Sequence, residues 1–274
     1  YNMEKTREAY NFGKIEEYDF TEARSLSPEI LNSNPRTKNN IRVVDYESTL
    51  ATDIQLESIK NFYSFTDGDI INFTINGSEI PIFITAREVD TNRLPDQTYL
   101  NRIYKYTHGY GIVINPINRI ASNGQAETIV SGLQMNSADP GLRITRPQIY
   151  YGELTNGYAI VDAANNFNEV DYDGNAETRY DGKAGIRLNM LNRLLFAINY
   201  GDIKLITSGY AGNALLLPNR EVVSRAQRAV PFLIVDSDPY IIPAADGTLK
   251  WVLDAYTVSN AYPYAQNYGD LNYI

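Results

Sequence analysis

Ile70-Ile71-Asn72-Phe73-Thr74-Ile75-Asn76-Gly77-Ser78-Glu79-Ile80-Pro81-Ile82-Phe83-Ile84-Thr85 carries the clearest strand-turn-strand signal in the chain. Two β-prone runs, Ile70 to Ile75 and Ile80 to Thr85, flank Asn76-Gly77. Asn-Gly is preferred where both turn residues take positive φ, so the spacing predicts a hairpin. The same signal recurs twice. Ile149 to Glu153 and Tyr158 to Asp162 flank Asn156-Gly157, and Tyr240 to Ala244 and Leu249 to Ala255 flank Asp246-Gly247. Ile41 to Tyr46, Gly111 to Asn115 and Phe232 to Asp236 also read as strands.

Helical signals fall between these hairpins. Ser27 before Pro28 is a cap followed by proline at the first helical position. Thr52-Asp53-Ile54-Gln55 has capping-box spacing, with Leu56, Ile59 and Tyr63 on one face and Asp67-Gly68 as the stop. Asp96 reads as the cap of a helix bearing Leu100, Ile103 and Tyr104. The clearest helix spans Leu188 to Tyr200, with Leu188, Leu191, Leu195 and Ile198 as the inward stripe and Gly201 as the stop. Another runs from near Pro218 to Pro231, turning Val222, Ala226, Ala229 and Val230 inward and Arg220, Arg225 and Arg228 outward. Residues 116–142 and 163–185 are polar and read as long surface segments. Hairpins with clustered helices, in no regular alternation, predict an α+β fold of antiparallel strands. Without repeats or linkers, residues 1–274 read as one domain.

Composition narrows the function. The 274 residues carry 24 basic and 33 acidic side chains, a net charge of −9. That charge disfavours nucleic acid and anionic lipid as partners. There is no cysteine, which excludes disulfides, thiolate catalysis and cysteine zinc sites. No apolar run approaches the ~20 residues that cross a bilayer, so direct lipid insertion is not expected. Twenty-two tyrosines against nine phenylalanines and one tryptophan suit strand packing first and a wet binding face second. The chain opens at Tyr1-Asn2-Met3-Glu4 and closes at Leu271-Asn272-Tyr273-Ile274, which reads as a piece of something larger.

The one histidine, His108, lies in Tyr106-Thr107-His108-Gly109-Tyr110-Gly111. Imidazole chemistry would have to use it. No Gly-x-Ser-x-Gly elbow supplies a nucleophile, and a histidine-rich metal site is impossible. We therefore expect His108 to be architecture in a glycine turn, without assembled partners. Glu169-Val170-Asp171-Tyr172-Asp173-Gly174-Asn175-Ala176-Glu177 resembles a calcium loop but puts Tyr180 where the twelfth-position carboxylate belongs, so a solvated loop is expected. Arg146, Tyr150, Tyr151 and Glu153 offer an anion-gripping fork beside aromatic faces. Asp236, Asp238 and Asp254 read as turn residues before they read as a glycosidase pair. The binding candidates are His108, Tyr110, Arg146, Tyr151 and Glu153, with no catalytic residue, metal or cofactor expected.

Five strings together resemble a known family. They are IRVVDYESTLATDIQLESIKNFY from Ile41, YTHGYG from Tyr106, RPQIYYGE from Arg146, LNRLLFAINYGD from Leu191, and DSDPYIIPAADGTLKWVLDAYTVSNAYPY from Asp236. Their order is similar to that of the uncharacterised bacterial membrane-protein family numbered 0182. The chain departs at Val170-Asp171-Tyr172-Asp173, where the family tends to Phe-Asp-Tyr-Pro, and at Tyr200, where it has phenylalanine. The resemblance implies an extracytoplasmic soluble region of a multi-pass cell-membrane protein, partnered by the membrane-spanning part of that protein or by further copies. It implies no activity. Binding or assembly is the expected role, and a cell-envelope hydrolase using His108 or a carboxylate pair is the alternative.

Overall fold

The computed structural model describes residues 1–19, 27–58, 60–133, 135–137, 142–163, 168–172, 177–209 and 213–258. The fold is α+β, and every strand pairing in its sheets is antiparallel.

The main sheet has five strands in sequential order: β1 (Asp69–Ile75), β2 (Ser78–Ala86), β3 (Ile112–Pro116), β4 (Val130–Ser131) and β5 (Asn136–Ser137). The hairpin read at Asn76-Gly77 is present, with Ile75 opposite Ser78 and φ of 49° and 75° at the two turn residues. Strand β2 is central and buried on both faces, so its Ile82-Phe83-Ile84 run is continuous rather than alternating. Ile82 and Ile84 pack with Ile112, Ile114, Val130, Ile149 and Ile241 into the largest apolar cluster. Strands β4 and β5 lie in the segment read as loop; each is two residues long, β4 pairing with β3 through Val130 and with β5 as a short hairpin, which leaves no periodicity to detect.

A second cluster forms around β6 (Ala159–Val161), β7 (Ile186–Arg187) and β8 (Leu215–Leu217), ordered β6-β8-β7. The hairpin expected at Asn156-Gly157 is not formed. Ala159–Val161 pairs with Leu215–Leu217, and Gln148–Ile149 pairs with Gly109–Tyr110. Long-range partners with better apolar complementarity win over the local turn. The third expected hairpin does form, β9 (Tyr240–Pro243) against β10 (Leu249–Val252), with Gly247 at φ 80°.

Among the helices, Pro28–Ser33 begins at Ser27, whose Oγ accepts from the Ile30 N–H. Helix α1 (Tyr46–Glu57) starts six residues before Thr52, because Asp45 rather than Thr52 caps it, accepting from Ser48 N at 3.0 Å. Residues 41–45 are accordingly not a strand, and Asp67-Gly68 is not a helix stop. Ile59 lies outside the described residues. The helix expected from Asp96 is a five-residue π-helical turn, Asn101–Lys105, and Asp96 caps Thr98 N instead.

Helix α2 (Met190–Tyr200) ends at Gly201 in the left-handed conformation, as read. Leu188 packs inward as expected, but the rest of the stripe faces the other way. Ala197, Phe196 and Tyr200 pack inward, while Leu191, Leu195 and Ile198 are exposed. Helix α3 (Val222–Ala229) is capped by Glu221, which accepts from Val223 N and Ser224 N. Arg220, expected outward, is buried at 2% exposure.

Candidate functional site

Glycine at 109 and 111 has a local cause. A Cβ at Gly109 would lie 2.4 Å from the Arg87 carbonyl oxygen, and Gly111 has φ +75°. The segment runs backbone to backbone beside Arg87-Glu88: Tyr110 N donates to Arg87 O at 2.8 Å and Arg87 N donates to Gly111 O at 3.0 Å. The close approach the glycines permit is therefore to the chain itself, not to a ligand.

Two buried guanidinium groups grip this segment from its two ends. Arg220 donates from Nε to Tyr150 O at 2.8 Å and from Nη2 to Thr107 O. Arg87, fully buried, donates to Tyr110 O at 2.9 Å, to Glu57 O at 2.7 Å and to the Glu57 carboxylate at 2.9 Å. Burial draws the pKa of both arginines down, that of Arg220 to about 10, so both stay charged at neutral pH.

His108 lies between them at 2% exposure. The expectation that it lacks partners is overturned. Its Nδ1 is 3.0 Å from Thr107 Oγ1 and 3.5 Å from Glu169 Oε2, and its Nε2 is 3.6 Å from Asp171 Oδ1. Thr107 donates its hydroxyl proton to Glu169, so the Thr107 oxygen is left to accept from Nδ1–H. Glu169 also accepts from Tyr180 N at 3.0 Å, and Asp171 from Gln148 Nε2 at 3.3 Å. Burial alone would lower the imidazole pKa; the Asp171 and Glu169 carboxylates outweigh it, and the pKa is raised. The buried ring lies between two acids, with Nε2 facing Asp171 at 3.6 Å without a hydrogen bond among the described residues.

These two acids correct the reading of residues 163–185 as surface. Glu169 and Asp171 are both buried, and the period-two spacing Glu-Val-Asp puts them on one face of the strand Glu169–Val170. Asp173 to Ala176, the rest of the calcium-like loop, lie outside the described residues. No group of three or more His, Asp or Glu with metal-holding geometry occurs among the described residues.

The Tyr150 ring stands 4.8 Å from the imidazole, centroid to centroid, and its other side meets a cleft of about 240 Å³. The cleft lies between residues 146–151, the turn Tyr180-Asp181-Gly182 and the β9–β10 hairpin, whose Ile241, Thr248, Leu249 and Trp251 form the far wall. Trp251 Nε1 donates to Tyr151 O at 2.7 Å, and the Arg225 guanidinium sits 4.4 Å over the Tyr151 ring. Arg146, half-exposed at the rim, pairs with Asp181. Tyr151 Oη is buried and makes no hydrogen bond within the described residues.

Of the five candidates read from sequence, Arg146 and Tyr151 meet in this cleft. His108 and Tyr110 are core residues beside it, Tyr110 packing with Phe62 and Val89. Glu153 lies elsewhere. Its N–H donates to the buried Glu88 carboxylate at 3.0 Å, and its own pKa is pushed up to about 8 by burial and by Asp67, Glu88, Asp69 and Asp238. Asp236 and Asp254 are joined through backbone, and Asp236 caps Asp238 N at 3.2 Å, as turn residues do. A hydrolase built on His108 finds no support, since the ring is sealed beneath Tyr150. Sequence reasoning gave Arg87 and Trp251 no role, and it read Glu169 and Asp171 as part of a solvated loop and Arg220 as outward-facing.

The raised pKa values give stability a sign. His108 titrates above its ordinary ~6.5, so the stability its charge contributes is whole below that pH and is lost as pH rises through the raised value. Asp53, Asp69 and Glu88, each raised by burial to about 7, act in the same direction, because the folded chain holds their protons more tightly than the unfolded chain. The melting temperature should fall by about 5 °C or more between pH 6 and pH 9. His108→Gln should melt lower at pH 6 and show a shallower fall; calorimetry that found stability rising over this window would contradict the assignment.

Comparison with known proteins gives a consistent identity. A model of the uncharacterised protein family UPF0182 matches residues 1–274. The UPF0182 protein of Caldicellulosiruptor saccharolyticus is 42% identical over 271 residues, covering 97% of this chain and 30% of that protein. The UPF0182 proteins of Clostridium novyi and Clostridium tetani are 40% and 39% identical, each covering 100% of this chain and 30% and 31% of their own lengths. The chain thus spans about 30% of the length of the curated relatives it matches. No solved structure matches it. The chain belongs to the uncharacterised protein family UPF0182.

Proposed function

We propose that this chain is an extracytoplasmic part of a multi-pass cell-membrane protein and that it works by binding rather than by catalysis. The cleft beside Tyr150 is the observation that carries the binding reading. Its walls are aromatic and aliphatic, with a few polar groups at fixed positions, which is the usual make-up of a small-molecule site. At about 240 Å³ it suits a single ring rather than a larger molecule. The face of Trp251 and the phenol of Tyr151 would hold that ring. Arg146 would take an anionic substituent on its planar fork, releasing the exposed Asp181. Nothing in the cleft resembles a nucleophile braced by a base, and the one imidazole is spent on the core.

Trp251 is the only tryptophan, so its emission reports on this cleft alone. Titration with benzoate and with glucuronate, two ring-bearing carboxylates, should give a saturable change for at least one of them. Arg146→Ala should weaken it about tenfold, or ~1.4 kcal/mol. A linear response to both, or saturation indifferent to Arg146→Ala, would contradict the reading. The location has its own test, because the chain has no cysteine to interfere. Glu177→Cys, at an exposed position, should react in intact cells with a membrane-impermeant maleimide. Labelling only after lysis would place the domain on the cytoplasmic side.

A further inference from the structure

The outward face of helix α2 lies apart from the cleft and carries a separate message. Met190, Leu191, Leu195 and Ile198 are 86%, 64%, 54% and 72% exposed, and Leu194 is 48% exposed. The helix is eleven residues long, and no charged side chain interrupts this stripe. Its one internal cation, Arg193, is turned away, donating to the carbonyls of Leu205 and Ser208. The five side chains present roughly 600 Å² of apolar surface, at the upper end of the largest patch on ordinary monomers and most of the ~800 Å² each partner gives a standard interface.

We infer that this face pairs with the same face of a second copy of the chain, the two α2 helices running antiparallel about a two-fold axis between Leu194 and Leu195. The sequence of the face is complementary to itself under that operation. Leu194 meets the second copy's Leu195, and Leu191 meets the second copy's Ile198, so apolar side chains meet along the whole stripe. By residue count the same operation brings the exposed Arg187, just before the helix, toward the C-terminal end of the second copy's helix, where Asp202 is already held by Tyr158 Oη and Lys204 N. Within one chain Arg187 is poorly placed, a cation near the positive end of a helix dipole. Across the axis it comes to the negative end of the opposing helix. Area, stripe and end charges thus point to one occupant. The inference does not rest on ligand binding at the cleft.

Sedimentation velocity between about 2 and 200 µM tests it. A reversible dimer with a dissociation constant in the micromolar range is expected. Ile198→Glu should weaken it at least tenfold without changing the melting temperature, since the side chain is mostly in solvent. Geometry can be read from single cysteines, because the chain has none of its own. Under mild oxidation Leu195→Cys should form a disulfide-linked dimer readily. Leu191→Cys should not, since its own counterpart lies ~10 Å away along the axis. A chain that stays monomeric throughout overturns the inference, as expected if another protein or lipid covers the face. Cross-linking of Leu191→Cys as efficient as that of Leu195→Cys overturns it too.

Discussion

Positive charge inside a protein has to be matched where it lies, and the folding of the Thr107–Gly111 segment depends on that requirement. Arg220 and Arg87 are buried and charged, and His108 between them is buried with its pKa raised by the Asp171 and Glu169 carboxylates. An isolated buried cation would cost several kcal/mol. Here groups from far along the chain lie against each one: Glu57 and Gly132 at Arg87, Tyr150 at Arg220, and the Glu169 and Asp171 carboxylates 3.5 and 3.6 Å from His108. These contacts fasten helix α1, the main sheet, the Tyr150 strand and the Glu169 strand to one six-residue motif. The motif is a hub because its charges have no other means of being satisfied.

The same arrangement separates architecture from recognition. Tyr150 has the imidazole on one side and the cleft on the other. Its hydroxyl is kept protonated by burial and by Glu169, so no charge passes through the partition. The residues behind it are fixed by the core, and of those in front Trp251 lies in β10, Tyr151 accepts from its Nε1 through the backbone carbonyl, and Arg146 forms a bridge to Thr248. A site on such a base is pre-shaped, which lowers the ordering cost of binding.

Local chemistry was legible in the sequence; distant pairing was not. Asn76-Gly77 and Asp246-Gly247 named their hairpins because each turn carries its own conformational requirement. Asn156-Gly157 carries the same signal, with Gly157 at φ 74°, yet its flanking strands pair elsewhere. Turn chemistry reports a bend and says nothing about which strands accept each other. The α2 stripe was found at the right residues and given the wrong face, since periodicity reveals an apolar side without naming what covers it. Arg146 and Tyr151 emerged from a motif whose residues are near in sequence. Glu169 and Asp171 were visible as alternating acids, but their partner is His108, about sixty residues away, and solvent was the simpler expectation. Trp251 gave no signal of its own.

One titration decides whether His108 is architecture. The chain has a single histidine, so its imidazole gives one set of proton and nitrogen resonances, free of overlap. Followed by NMR from pH 5 to 9, those resonances should remain those of an imidazolium well past pH 6.5, with slow solvent exchange of the ring N–H. An imidazole that loses its proton at or below that pH, or whose N–H exchanges as fast as that of a free side chain, would show that the ring is neither charged nor sealed.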